Sequence, residues 1–154
     1  MDVSLIDFKL TLGLELRLLG LDVGEKTIGL AISDSAYTIG SPLETIRRSK
    51  FTKDAERISA LVEENEIGGL VIGFPFNMDG SEGPRCQSVR QFSQNLEKVL
   101  GIPYVFWDER LSTAVVERML VKEADMSRKR RAKVVDKLAA AYILQGALDA
   151  MAAR

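Results

Sequence analysis

RLLGLDVGEKTIGLAISD, residues 17–34, contains two short apolar runs, Arg17 to Asp22 and Lys26 to Asp34, separated by Val23-Gly24-Glu25. In the second run Ile28, Leu30 and Ile32 alternate with Thr27, Gly29 and Ala31, the period of two that belongs to a strand. Each run is too short for an average helix, and a glycine breaks the chain between them, so the pair is expected to form a hairpin. A third, less regular strand is expected between Tyr37 and Arg47, completing an antiparallel trio.

Beyond residue 50 the period changes. Lys53 to Glu66 sets Ala55, Ile58, Leu61 and Val62 on one helical face, and GLVIG (69–73) is an unbroken apolar run suited to a strand buried on both sides. Val89, Phe92, Leu96 and Val99 repeat the helical spacing before a strand at Ile102 to Trp107. A helix over Ser112 to Val121 is expected next, with Ser112 as its N-cap. In the last helix Asp136, Ala139, Ala140, Ile143, Leu144, Ala147, Leu148 and Met151 fall on one stripe. An antiparallel meander followed by alternating helices and strands predicts an α/β fold. Its mixed five-stranded sheet has three antiparallel strands first, then parallel ones, with helices packed on it.

The 154 residues, 46% of them hydrophobic, suit one domain with a sizeable core, and no Pro/Gly/Ser-rich linker divides them. Residues 1–154 are therefore expected to be a single domain, with 1–16 as an N-terminal extension. Asp2 and Asp7 stand where an export signal carries basic residues, and no run approaches the length of a membrane span, so a cytoplasmic protein with no membrane partner is expected. Lysine and arginine number 21 against 22 acids, so any nucleic-acid surface must be local. One cysteine, Cys86, and no histidine exclude an internal disulfide and a Cys/His zinc site. A bound metal would need oxygen ligands. Cys86 is the only thiol available to cross-link two copies under oxidation; a monomer or a homodimer is expected.

Three acids stand where such ligands belong. Asp22 ends a central strand at a glycine turn; on its own it would equally serve to bond the amides of Gly24 or Glu25. Asp108-Glu109-Arg110 ends the last strand, and because successive side chains point to opposite faces, only one of the two acids easily joins a common site. Arg110 is suited either to a phosphate or to pairing with the other acid. Asp136 leads the apolar stripe of the last helix, one turn before Ala139 and Ala140, whose small side chains allow a close approach to the sheet. As a lone acid it would serve equally as a helix cap. Together these carboxylates suit one or two hard divalent cations, Mg²⁺ or Mn²⁺, and phosphodiester hydrolysis.

Two further features bear on a substrate. Five of the six residues from Arg128 to Lys133 are basic; without them 16 basic residues would face 22 acidic ones, so positive charge is concentrated just before Asp136. Arg128, Lys129, Arg130 and Lys133, with Arg110, are the expected nucleic-acid contacts. Gly73 to Gly83 forms a glycine- and proline-containing loop after a buried strand, where α/β folds build sites, although it lacks a Walker ending.

Four blocks, LGLDVGEKTIGLAISD (19–34), VIGFPFNMDGSEGP (71–84), DERLST (108–113) and VDKLAAAYILQGALD (135–149), together resemble the YqgF/RuvX family. Its members are Holliday-junction-resolvase-like proteins assigned as nucleases of pre-16S ribosomal RNA. The resemblance covers about Arg17 to Asp149 and implies a ribonuclease-H-like fold and a nuclease acting in ribosome biogenesis. The family's metal-binding acids fall on Asp22, an acid of the DER block and Asp136. Glu109 is favoured over Asp108, although strand alternation alone does not choose between them. Many relatives read D-S-x-A-A in the helix block, whereas Lys137 follows Asp136 here; the departure removes a hydroxyl and keeps the carboxylate.

Three functions fit this reading: an Mg²⁺-dependent endonuclease on structured RNA that matures the 5′ end of pre-16S rRNA, with ribosomal precursor particles as partner; the same chemistry on branched DNA; and a non-catalytic nucleic-acid-binding or ribosome-assembly module. The hairpin also resembles the first phosphate loop of actin-like and sugar-kinase ATPases, but those close two lobes over a nucleotide and this chain has the length of one.

Overall fold

The computed structural model describes residues 5, 8, 12, 16–110 and 128–152, with side chains in the last segment from residue 138 onward. Strands β1 (Arg17–Val23), β2 (Thr27–Ser33) and β3 (Gly40–Arg47) form the expected meander, followed by helix α1 (Phe51–Glu64), β4 (Ile67–Phe74), α2 (Pro84–Leu100), β5 (Tyr104–Asp108) and α3 (Arg128–Ala152). The sheet order is β3-β2-β1-β4-β5. β1 runs antiparallel to β2 and β2 to β3, whereas β1–β4 and β4–β5 are parallel. The helix expected over Ser112 to Val121 lies outside the described residues.

Alternation along β1 divides the molecule into two layers. Leu19, Leu21 and Val23 point to one face, where Ala55, Ile58 and Leu61 of α1 and Cys86, Val89, Phe92 and Leu96 of α2 complete a core. Leu18 points to the other face, beneath Ala140, Ile143, Leu144, Ala147, Leu148 and Met151 of α3. Glycine sets how closely α3 lies: a Cβ at Gly20 would stand 2.8 Å from Leu144 Cβ and 3.1 Å from the Ala140 carbonyl oxygen. The first distance is shorter than real Cβ contacts show and the second is tight, so the helix seats directly on the strand backbone.

Phe8 is fully buried with this second layer, and Leu5 and Leu12 pack against it. Gly68 and Gly69 make the space: a Cβ on Gly69 would be 2.7 Å from the Phe8 ring, and one on Gly68 2.7 Å from Leu16.

Two expectations need correcting. Val99 does not share the buried stripe of α2; it is 53% exposed, and Leu100 packs on the core instead. The stripe takes the i+4 step from Leu96 rather than the i+3 step, and helical periodicity permits either. Cys86 is fully buried, with its Sγ on the Pro75 carbonyl at 3.3 Å, so it is not available to cross-link two folded copies.

Candidate functional site

The parallel strands β1, β4 and β5 end side by side, and their C-terminal ends carry the acids. By strand alternation Asp22 shares the α3 face with Leu18 and Gly20. The turn that follows it is closed by the Gly24 amide, which donates to the Thr27 carbonyl at 2.8 Å. Glu109 lies just past β5, its amide donating to the Phe74 carbonyl at 3.2 Å. Its side chain crosses Gly73: a Cβ there would stand 2.7 Å from Glu109 Oε1 and 2.5 Å from Ile143 Cδ1. The missing side chain at Gly73 is what lets the Glu109 carboxyl reach Asp22.

The two carboxyls are hydrogen-bonded to each other. Burial first, then the Asp22 charge and this hydrogen bond, push Glu109 up to about 8, while the nearby Arg85 guanidinium pulls the other way. Burial beside a second carboxyl therefore favours a proton shared by the Asp22–Glu109 pair at neutral pH.

Asp108 goes elsewhere. Arg110 grips it through Nε at 3.0 Å and Nη2 at 2.6 Å, and this pairing holds the carboxyl below its ordinary range. Arg110 thus takes the second of its two expected roles. It also donates to the Met78 carbonyl at 3.3 Å and stacks over the Phe76 ring, tying β5 to the Gly73 to Gly83 loop. That loop is closed by its own bonds, Asn77 N to Ser81 O and Gly80 N to Asn77 O, with Gly80 at φ +89° where a left-handed turn favours glycine.

Asp136 belongs to α3, one turn before Ala140, which overlies Gly20 two residues before Asp22. The helix continues through Leu144, whose Cβ lies over the same Gly20, to Leu148 and Met151 in the buried cluster that also holds Leu18. The side chains of Asp136, Arg128, Lys129, Arg130 and Lys133 lie outside the described residues; their backbone forms the first turns of α3. Among the described residues no three metal-ligating side chains converge.

Two arginines that belong to none of the sequence motifs hold the turn after Asp22. Arg85, in the first turn of α2, donates to the Val23 carbonyl at 2.7 Å, and Arg48, just past β3, donates to the Gly24 carbonyl at 2.6 Å. For Arg48 the signal in the sequence is the short basic run Arg47, Arg48, Lys50 and Lys53 at the β3–α1 junction; Arg85 stands in no such run.

The donor chemistry of Asp22 and Glu109 fits a hard divalent cation. Two carboxylates pressed together in a largely buried position repel when both are ionised, and a cation between them would relieve that repulsion and displace the shared proton.

This architecture defines a ribonuclease-H-like fold of the resolvase type. T. thermophilus RuvC in complex with Holliday junction substrate superposes with a TM-score of 0.56 at 15% identity, covering 90% of this chain and 96% of that one. The yeast mitochondrial Holliday junction resolvase Ydc2 gives 0.51 at 12% identity, covering 90% and 80%. The chain belongs to the RuvX family, described as Holliday junction resolvase, whose model matches residues 16–150. A relative from Paramagnetospirillum magneticum is 64% identical over 133 residues, covering 86% of this chain and 85% of that one. One from Roseobacter denitrificans is 59% identical over 145 residues, covering 93% and 88%. Both carry the name "Putative pre-16S rRNA nuclease".

Proposed function

We propose that this chain is a divalent-metal-dependent endonuclease that hydrolyses phosphodiester bonds in structured RNA, acting in 5′-end maturation of pre-16S rRNA. The observation that carries the reading is the contact between Asp22 and Glu109 at the ends of adjoining parallel strands; the names of the close relatives supply the substrate. Asp22, Glu109 and Asp136 are the proposed ligands, and Mg²⁺ or Mn²⁺, as one or two ions, the proposed cofactor.

A bound divalent ion would supply Lewis-acid stabilisation of charge on the scissile phosphate and a more acidic water. The chain's own contribution is to fix the two acids. Gly73 leaves room for Glu109, Arg110 keeps Asp108 off the pair, and Arg48 and Arg85 hold the turn that follows Asp22. The proton on Glu109 must leave before both carboxylates can serve as ligands, so cation affinity rises with pH toward 8.

The test is cleavage of a precursor rRNA fragment and of a four-way DNA junction by wild type and Asp22→Asn, with Mn²⁺, with Mg²⁺ and with EDTA. Metal-dependent cleavage of the RNA that disappears in Asp22→Asn supports the proposal. Cleavage of the junction alone would make the protein a DNA resolvase, consistent with the description of its family. RNA binding without cleavage under any metal would leave a non-catalytic assembly module.

A further inference from the structure

From the turn after Asp22 a trough runs away from the acids, on the side of the sheet opposite α3. Its first part is walled by Glu25, Arg48, Ser49, Arg85 and Ser88 and holds about 520 Å³. It continues between the start of α1 and the outer face of α2, past Phe51, Gln87, Gln91 and Asn95, as a space of about 660 Å³. Each is within the range of pockets that hold a small-molecule-sized group. Arg48, Pro84 and Ser88 line both, so the two spaces are continuous.

Its chemistry changes along its length. At the end next to the acids stand two guanidiniums, each anchored by one hydrogen bond to a turn carbonyl. Exposed Lys50 and Lys53 follow Arg48 in the chain, and among the described residues the one acid lining that end is Glu25. Asp54, three per cent exposed, is turned inward and accepts from the Ser49 amide and hydroxyl, so its carboxylate lies behind this edge and not on its surface. At the far end the polar groups are neutral amides, Gln87, Gln91 and Asn95, beside the half-buried Phe51 ring. Phosphates suit the first end. Amides that both donate and accept, beside an aromatic ring, suit the edges and faces of unpaired bases.

We propose that this trough holds a single-stranded polynucleotide, with Arg48 and Arg85 on its phosphates and Gln87, Gln91 and Asn95 on its base edges, leading one arm of the substrate to the acid pair from the α1–α2 side. The proposal rests on the nuclease reading for its direction toward Asp22 and Glu109. It adds a second approach, on the opposite face of the sheet from the basic start of α3.

The test uses near-isosteric charge changes on α2 that leave both arginines in place. Gln87→Glu and Gln91→Glu put carboxylates inside the trough; Gln94→Glu makes the same change on an exposed position of the same helix that does not line it. Binding of a fluorescent twelve-nucleotide RNA, and of the DNA of the same sequence, is measured by anisotropy in EDTA at low salt. Each trough substitution should weaken RNA binding about threefold and the pair about tenfold, from the repulsion of one charge at contact distance in water. Gln94→Glu should change it by less than a factor of two. An acid at position 87 favours the helix N-terminus, so a loss there does not come from unfolding.

Equal effects of all three substitutions, or no binding of either strand by wild type, would overturn the trough. Equal weakening for RNA and DNA supports a channel that reads the shared phosphate and base chemistry; weakening for RNA alone adds contacts to the 2′-hydroxyl. A protein that loses binding in the trough variants yet cleaves nothing with any metal keeps the trough and discards the nuclease reading. Cleavage that persists with trough variants behaving as Gln94→Glu does the reverse.

Discussion

The neighbouring acids Asp108 and Glu109 are driven to opposite protonation states, one by the Arg110 guanidinium and one by burial against another carboxyl. Their substitutions should therefore differ. Glu109→Gln keeps a donor toward Asp22 and the shape of the side chain, so the fold should persist while metal-dependent cleavage falls by at least a hundredfold in a single-turnover assay. Asp108→Asn releases Arg110 and slackens the Gly73 to Gly83 loop, with a milder loss; equal mild effects of the two would remove Glu109 from the site. The same pair sets a pH dependence. Between Glu109's ordinary value of 4.5 and its folded value of about 8 the native state binds more protons than the unfolded chain, so stability declines as pH rises through that window. Asp34 and Asp108, both held low, lose their contribution only in acid, below it. Thermal melts of wild type in EDTA should thus fall from about pH 5 to about pH 8, and Glu109→Gln should flatten that slope. A rising midpoint over the same range would mean that Glu109 is ionised in the metal-free protein.

Beside the strand ends that hold Asp22 and Glu109, the end of β4 shapes the site, and the start of α3 is proposed to join it. Gly73→Ala sets a methyl against Ile143 of α3 and against Glu109, so it should cost about 1–3 kcal/mol by overpacking and depress cleavage more than stability, a divergence seen by comparing chemical denaturation with turnover. For α3 the expected contacts of Arg128, Lys129 and Arg130 with phosphate predict a slope of log affinity against log salt that flattens by about two units when all three become alanine. A lower melting temperature with an unchanged slope would make the basic run structural. These elements were legible in the sequence to different degrees. The hairpin, the meander and the stripe of α3 follow from periods of 2 and 3.6, because burial on one face imposes those periods directly. The meeting of Asp22 with Glu109 does not, since it depends on β4 lying between β1 and β5 and on Gly73 having no side chain. The order of four blocks suggested which acids to bring together; spacing alone left Asp108 open. Arg85 is hidden for a different reason: it acts on a backbone carbonyl, which leaves no pattern in the residue it holds, and no basic run marks it as one marks Arg48.

Across the whole molecule the two layers depend on different parts of the chain. The α1–α2 layer is built from residues close to the strands they cover, whereas the α3 layer joins residue 8 to residues 140–151. Phe8 lies outside the 16–150 span matched by the family model yet is fully buried. Phe8→Ala should therefore cost about 3–5 kcal/mol, as a lost core aromatic does, read as a shift in the urea midpoint; a change under about 1 kcal/mol would mean that the segment packs without supporting the sheet. The close seating of α3 on Gly20 also has a bearing on how the protein is made. During synthesis the meander, α1, β4, α2 and β5 all leave the ribosome before α3, so one face of the sheet waits uncovered while the other can already fold. Asp136 travels on that late helix. A nascent chain halted before α3 would display Asp22 and Glu109 without the third ligand proposed for them, and on that proposal cleavage would begin only once the last layer closes.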